Sequence, residues 1–326
     1  MWTIGIAAAL LSAAGAALPA SAPLELESKI PLGSVRGRID HLAADLHRHR
    51  LFVSEFGNDS VGVIDLGHAR IVRTLEGLPQ PQGIGYVAST DTLYVANAGD
   101  GSVRLFRGAN LAPAGQIALG QDADDVRVDE AAHRLFVGYG DGALAIIDTM
   151  RAAKIADIPL KAHPEGFQFE RSGARIFVNV PGAREIALID RANRRQVSSW
   201  PTDALRENFP LALDEQRGRI LAVFRDPAKL GVFRVRGGHL LASLDTCRDA
   251  DDVFIDPKRN RLYVICGEGR IDVIAEQRGR YADLGRIATV AGARTGLFVA
   301  QWDRLFVAVR ATSGTPAALW VFRPMG

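Results

Sequence analysis

Along this chain, short apolar runs are broken by clusters of Gly, Asn and Asp, and the pattern repeats. Each copy has a basic or polar residue, an apolar β-rich triplet, a turn, and a second apolar run. The copies are RLFVSEFGNDSVGVIDL from Arg50, TLYVANAGDGSVRLF from Thr92, RLFVGYGDGALAIID from Arg134, RIFVNVPGAREIALID from Arg175, RILAVFRDPAKLGVF from Arg219, RLYVICGEGRIDVI from Arg261 and RLFVAVRATSGTPAALWVF from Arg304. The steps between them are 42, 42, 41, 44, 42 and 43 residues, a period that belongs to four-stranded propeller blades.

Within a copy, four strands are predicted. Alternating stretches such as VRVDEAAH and VFIDPKRN supply the first, and the LFV-type triplet supplies the second. Turn residues such as Asn58-Asp59, Asp100-Gly101 and Asp141-Gly142 lead into the third strand, and stretches such as IVRTLEGL form the fourth. A single such sheet cannot bury both faces, whereas seven packed in a ring can. The expected fold is therefore all-β, a seven-bladed β-propeller of four-stranded antiparallel blades. The C-terminus stops at ALWVFRPMG, one strand short of a blade, while LELESKIPL near the N-terminus aligns with the missing fourth strand. The ring is expected to close by that N-terminal strand joining the C-terminal blade; the alternative is a loose N-terminal tail.

The strings YVAN-AGDGSV at Tyr94 and LFVSEFGNDSVGVIDL resemble the YVTN repeat of YncE-like seven-bladed propellers. The resemblance runs over the whole chain after residue 22. It implies an exported propeller, and it brings no agreed catalytic set.

The first residues, MWTIGIAAALLSAAGAALPASA, are apolar, Ala-rich and uncharged. They read as a secretory signal peptide over residues 1–22, cleaved after Ala20 or Ala22, with an uncleaved membrane anchor as the alternative. Residues 23–326 then form one propeller domain, periplasmic or secreted, with no membrane span after signal removal and a monomer expected. A formal charge of +2 over 326 residues gives no footprint for nucleic acid. Two cysteines, Cys247 and Cys266, flank the first strand of the sixth copy. They can bridge in an oxidising compartment; two buried thiols are the alternative.

One string, DADDV, occurs twice, as Asp122–Val126 and Asp249–Val253. Both copies fall at the start of an innermost strand, in blades three and six, about 154° apart around a seven-fold ring. The equivalent residues of all seven blades are Asp40, Gln82, Asp124, Glu165, Phe209, Asp251 and Arg294, followed by His41, Gly83, Asp125, Gly166, Pro210, Asp252 and Thr295. With His163 and Asn208 nearby, they predict a polar, acidic mouth on the central channel. The candidate ligand-binding set is Asp40, His41, Gln82, Asp124, Asp125, Glu165, Asn208, Asp251, Asp252 and Arg294.

Gathered carboxylates need a cation, a cationic ligand, raised pKa values or a pairing with Arg294. A divalent cation, Ca²⁺ or Mg²⁺ before Zn²⁺, would use Asp40, Asp124, Glu165 and Asp251. Structural turn-capping is the competing explanation. Four further aspartates, Asp45, Asp129, Asp214 and Asp256, are expected to cap the turn after the first strand.

The chain has no GxSxG, HExxH, P-loop, GxGxxG or haem-attachment string. A binding or scaffold protein for a small ligand, a cation or a partner protein is the first expectation. The alternative is a metal-assisted lactone or ester hydrolase at the same mouth. There His41 or His163 would move protons, Glu165 would assist, and Arg294 would hold an anionic group.

Overall fold

The computed structural model describes residues 22–171 and 173–326. The signal segment expected over residues 1–22 therefore lies outside the described residues, Ala22 excepted. The strands form seven four-stranded antiparallel sheets. Six blades comprise residues 42–76, 81–118, 123–159, 167–201, 206–245 and 250–288. The seventh joins residues 296–324 to the first strand of the chain, Leu24–Pro31.

That strand closes the ring, pairing Leu24 with Pro324 and Ile30 with Leu319. Its alternation is less regular than the sequence suggests. A bulge between Leu26 and Ser28 shifts the register, so Leu24 and Ile30 are buried on opposite faces, against blade six and blade one, and Leu26 is 40% exposed.

Packing follows from the apolar period. In blade three the second strand, Arg134–Tyr139, sends Leu135 and Val137 toward blade two and Phe136 toward blade four. Both faces are apolar because both are covered, and every pair of neighbouring blades encloses its own cluster of core residues. Each fully buried Val, Leu or Phe in them contributes about 1.5–3 kcal/mol. The outermost strands read differently: in Arg70–Glu76 only Leu75 is buried.

The turns out of the innermost strands use the expected aspartates. Asp45, Asp129, Asp214 and Asp256 accept backbone amides of Arg48, Ala132, Arg217 and Lys258 at 3.0–3.1 Å. Cys247 and Cys266 form a disulfide, with Cα atoms 5.8 Å apart. It ties the loop entering blade six to the end of that blade's second strand.

Candidate functional site

The innermost strands carry the polar ring, but not as regular β-structure. In blades two, three, five and six the pairing register shifts at the ring, between Pro81 and Ile84, Ala123 and Val126, Asn208 and Leu211, and Ala250 and Asp252. In blades one, four and seven, Asp40, Glu165 and Arg294 precede strands that begin at Leu42, Phe167 and Gly296. A break in the ladder at each position turns side chains toward the axis that a regular pleat would alternate between faces. Blade two contributes no side chain at its second place, because a Cβ on Gly83 would lie 2.0 Å from the carbonyl oxygen of Asp124.

The mouth holds a cavity of about 300 Å³ lined by side chains from all seven blades, among them Gln82, Asp124, His163, Glu165, Asp251 and Arg294. Arg38, Phe56, Asp122, Phe209 and Arg225 also line it. The arginines are held in place. Arg38 Nη2 lies 2.6 Å from Asp40 Oδ2 and donates to Gln82 Oε1 at 2.8 Å. Arg225 reaches Asp251 at 2.5 Å, donates Nε–H to the carbonyl of Ala250 at 3.0 Å, and stacks 3.6 Å above the Phe209 ring. Arg294 bridges Asp251 at 2.8 Å and Asp249 at 2.9 Å.

The opposite side of the cavity lacks arginine. His163 donates Nδ1–H to the carbonyl of Gly140 at 2.7 Å, and its Nε2 stands 3.8 Å from Asp124 Oδ2. Burial opposes charge on this ring, but Asp124 and the Gly140 carbonyl push it up to about 9. Burial, with Asp124 adding repulsion, also pushes Glu165 up to about 9, so at neutral pH its carboxyl is protonated and can donate. Burial likewise raises Asp124, whose Oδ1 is buried with no hydrogen-bond partner.

One residue further along the strands is a second tier. The His41 ring, from blade one, stands between the two DADDV strings: Nε2 is 3.5 Å from Asp125 Oδ1 and 3.9 Å from Asp40 Oδ1, and Nδ1 is 3.9 Å from Asp252 Oδ2. Burial favours the neutral imidazole, but Asp125, Asp40 and Asp252 outweigh it and push His41 up to about 10. Asp40 itself is raised by burial. Burial also pushes Asp252 up to about 7, despite His41 and the amide of Gly296, which donates to it at 2.8 Å. Asp125 goes the other way: burial is outweighed by Arg127, at 3.0 Å, and by His41, and its carboxyl falls below the usual range.

Nine of the ten candidate ligand residues thus meet in these two tiers. Asn208 does not. It is fully buried and donates to Asn179 Oδ1 at 2.9 Å and to the carbonyl of Glu185 at 3.0 Å, tying blade five to blade four. Among the described residues, no group of three or more His, Cys, Asp or Glu side chains is arranged to hold a metal ion. Asp40 and Asp251 are turned toward guanidinium groups instead.

Sequence reasoning placed Phe209 in the ring but missed Arg38, Phe56, Asp122 and Arg225 as cavity residues. A periodic signal for some of them exists. Phe56, Ala98 and Arg225 each stand five places after the first apolar residue of a second strand, Leu51, Leu93 and Ile220, and all three line the cavity. The end of the second strand reaches the same mouth as the start of the first, because the two run antiparallel.

The fold and the mouth define a seven-bladed β-propeller with a charged, open cavity on its axis. The chain is similar in structure to hydrazine synthase of Kuenenia stuttgartiensis, with a TM-score of 0.76 and 16% identity over 89% of this chain and 96% of that one. It is equally similar to a chain in the crystal structure of a mitotic checkpoint complex, with a TM-score of 0.76 and 12% identity over 97% and 98% of the two chains. At such identity the likeness is one of fold alone. No family model and no curated protein sequence matches the chain. Among the described residues, no helix is long and apolar enough to cross a membrane.

Proposed function

We propose that residues 23–326 are an exported propeller of the YncE-like kind that binds a small polar ligand in its mouth cavity. The observation that carries this reading is Asp124 Oδ1, a buried acceptor without a partner in a cavity where Arg225 and Arg294 are held by ion pairs and the buried Nε of Arg38 also lacks a partner. A buried acceptor left unpaired costs about 1–3 kcal/mol, which a ligand N–H or O–H donor would recover. The protonated Glu165 and the guanidinium groups of Arg225 and Arg294 supply donors across from it, so the ligand carries both donors and acceptors. A cavity of about 300 Å³ suits a small molecule rather than a protein segment. The disulfide, the apolar N-terminal run and the resemblance in the repeats support export.

The metal-assisted hydrolase has less support, because two of its four candidate ligands are neutralised by arginines. The test is a thermal-shift screen of small polar metabolites on the purified mature chain. Hits are then titrated against Glu165→Ala and Arg225→Ala. Binding should weaken at least tenfold in both, as loss of a hydrogen-bond donor in a buried site implies. A ligand held equally well by both variants places its site elsewhere and ends this reading. Elemental analysis of chelator-free protein is expected to show no stoichiometric metal.

A further inference from the structure

On the face of the ring opposite the mouth, blade five departs from a pairing that blades one, three and four share. In each of these four blades the first residue of the second strand faces the last residue of the third. In blades one, three and four an arginine there faces an aspartate: Arg50 with Asp65, Arg134 with Asp148, and Arg175 with Asp190. In blade five Arg219 faces Arg234. Like charges directly opposite on neighbouring strands repel, and here no carboxylate relieves them. Among the described residues, neither Arg219, Arg234 nor the adjacent Arg236 has an ion pair, although the chain forms many.

These three arginines line a groove of about 410 Å³ between blades four and five. The acids of the groove are already engaged: Glu170 pairs with Arg175, and Glu215 accepts the backbone amide of Arg171. Arg217, also in the groove, is held by Asp214 at 3.1 Å and Glu276 at 2.9 Å. The turn bearing Arg234 and Arg236 is anchored. Val235 is buried in the core between blades four and five, and the amide of Gly238 donates to the carbonyl of Arg234 at 3.0 Å. Gly238, at φ +67°, lies so close to Trp200 that a Cβ would meet the indole at 2.2 Å. The three arginines thus line one groove on a fixed scaffold, and Glu215, bonded to a backbone amide and in no ion pair among the described residues, is the one acid of the groove left to offset them.

The geometry points to an oxyanion site at this groove, one that takes a phosphate or sulfate group carrying at least two negative charges. Such a group accepts the planar N–H forks of two or three arginines at once, and its charge turns the Arg219–Arg234 repulsion into a shared attraction. The site is independent of the mouth: Arg219 and Arg225 are six residues apart on one strand, about 20 Å.

Inorganic pyrophosphate, titrated calorimetrically into the full mature chain at constant ionic strength, is the probe. Saturable binding is expected, weakened about tenfold in Arg234→Ala and again in Arg236→Ala, and unchanged in Arg70→Ala on the outer strand of blade one. A second readout separates function from folding. Arg234→Asp, which restores the pairing of blades one, three and four, should raise the melting temperature in phosphate-free buffer and abolish any further rise with pyrophosphate. Co-sedimentation with phosphatidylcholine vesicles containing phosphatidylglycerol distinguishes the source of the anion. Binding to vesicles that is lost in the two alanine variants assigns a lipid headgroup, and pyrophosphate binding alone assigns a soluble ligand. Absence of saturable binding to both probes, binding that survives both alanine substitutions, or a melting temperature not raised by Arg234→Asp would each overturn the site. None of these outcomes bears on ligand binding in the mouth.

Discussion

The two DADDV strings have the same five letters and the same place in their blades, yet different electrostatics. In blade three, Asp124 stands beside a histidine, 3.8 Å from His163 Nε2, and one of its oxygens has no partner. In blade six, Asp251 is gripped by Arg225 and Arg294. One residue on, the roles differ again. Asp125 is held ionised by Arg127 and His41, while Asp252 is pushed up to about 7 by burial. Blade six also carries a disulfide, where blade three has Gly120 and Tyr139 at the matching positions. Local sequence sets where a side chain stands; its state is set by what neighbouring blades bring to it.

That contrast can be broken from either side. The largest effect is expected on the blade-six side, where Arg225→Ala leaves Asp251 short of one of its two cations in a largely buried site. A loss of about 3 kcal/mol is expected by chemical denaturation, against about 1 kcal/mol for His163→Gln in blade three. Equal losses would mean that the two strings are held alike after all. Next comes the staple. Cys247→Ser with Cys266→Ser opens a loop of 19 residues and should cost about 3 kcal/mol, with no counterpart in blade three. A variant as stable as the parent would show that the bridge does not hold blade six.

The second tier separates the strings by pH. Asp125 has a lowered pKa, so its contribution is present above the unfolded value of 3.8 and is lost as the pH falls through its folded value. Asp125→Asn should therefore destabilise the protein at pH 7 by about 2 kcal/mol. Asp252 has the opposite sign. Its folded value of about 7 lies above 3.8, so the folded state holds a proton that the unfolded state releases, and stability falls as pH rises from about 4 to about 7. Asp252→Asn should flatten that slope and cost little at pH 7. Two asparagine variants with the same pH profile would contradict the assignment. The smallest difference is predicted for the packing beneath. Val126 and Val253 are each 5% exposed, and truncation of either to Ala should cost the same, about 1–2 kcal/mol; a disparity above about 1 kcal/mol would mean that the two blades pack differently.

Much of this was legible in the residues. The spacing of the LFV-type triplets specified seven sheets, and the missing strand at ALWVFRPMG called for LELESKIPL to close the ring, as it does. The same spacing placed the acids of blades three and six at one mouth, and the recurring aspartates after the innermost strands at turn caps. Less visible was which side chains the mouth would recruit from elsewhere. Arg38 comes from the loop ahead of blade one and Arg225 from the end of a second strand, so a count along innermost strands alone passes over both. Asn208 sits at the right place in the count, but its amide is taken up between blades.

The sequence by itself determined the period and the blade count, because two-residue alternation and turn chemistry act between neighbours on the chain. Only the tertiary structure decided charge. Whether His41 is a cation, Glu165 is protonated or Asp251 is neutralised depends on burial and on groups tens to hundreds of residues away, and Coulomb interactions and desolvation act through space rather than along the chain.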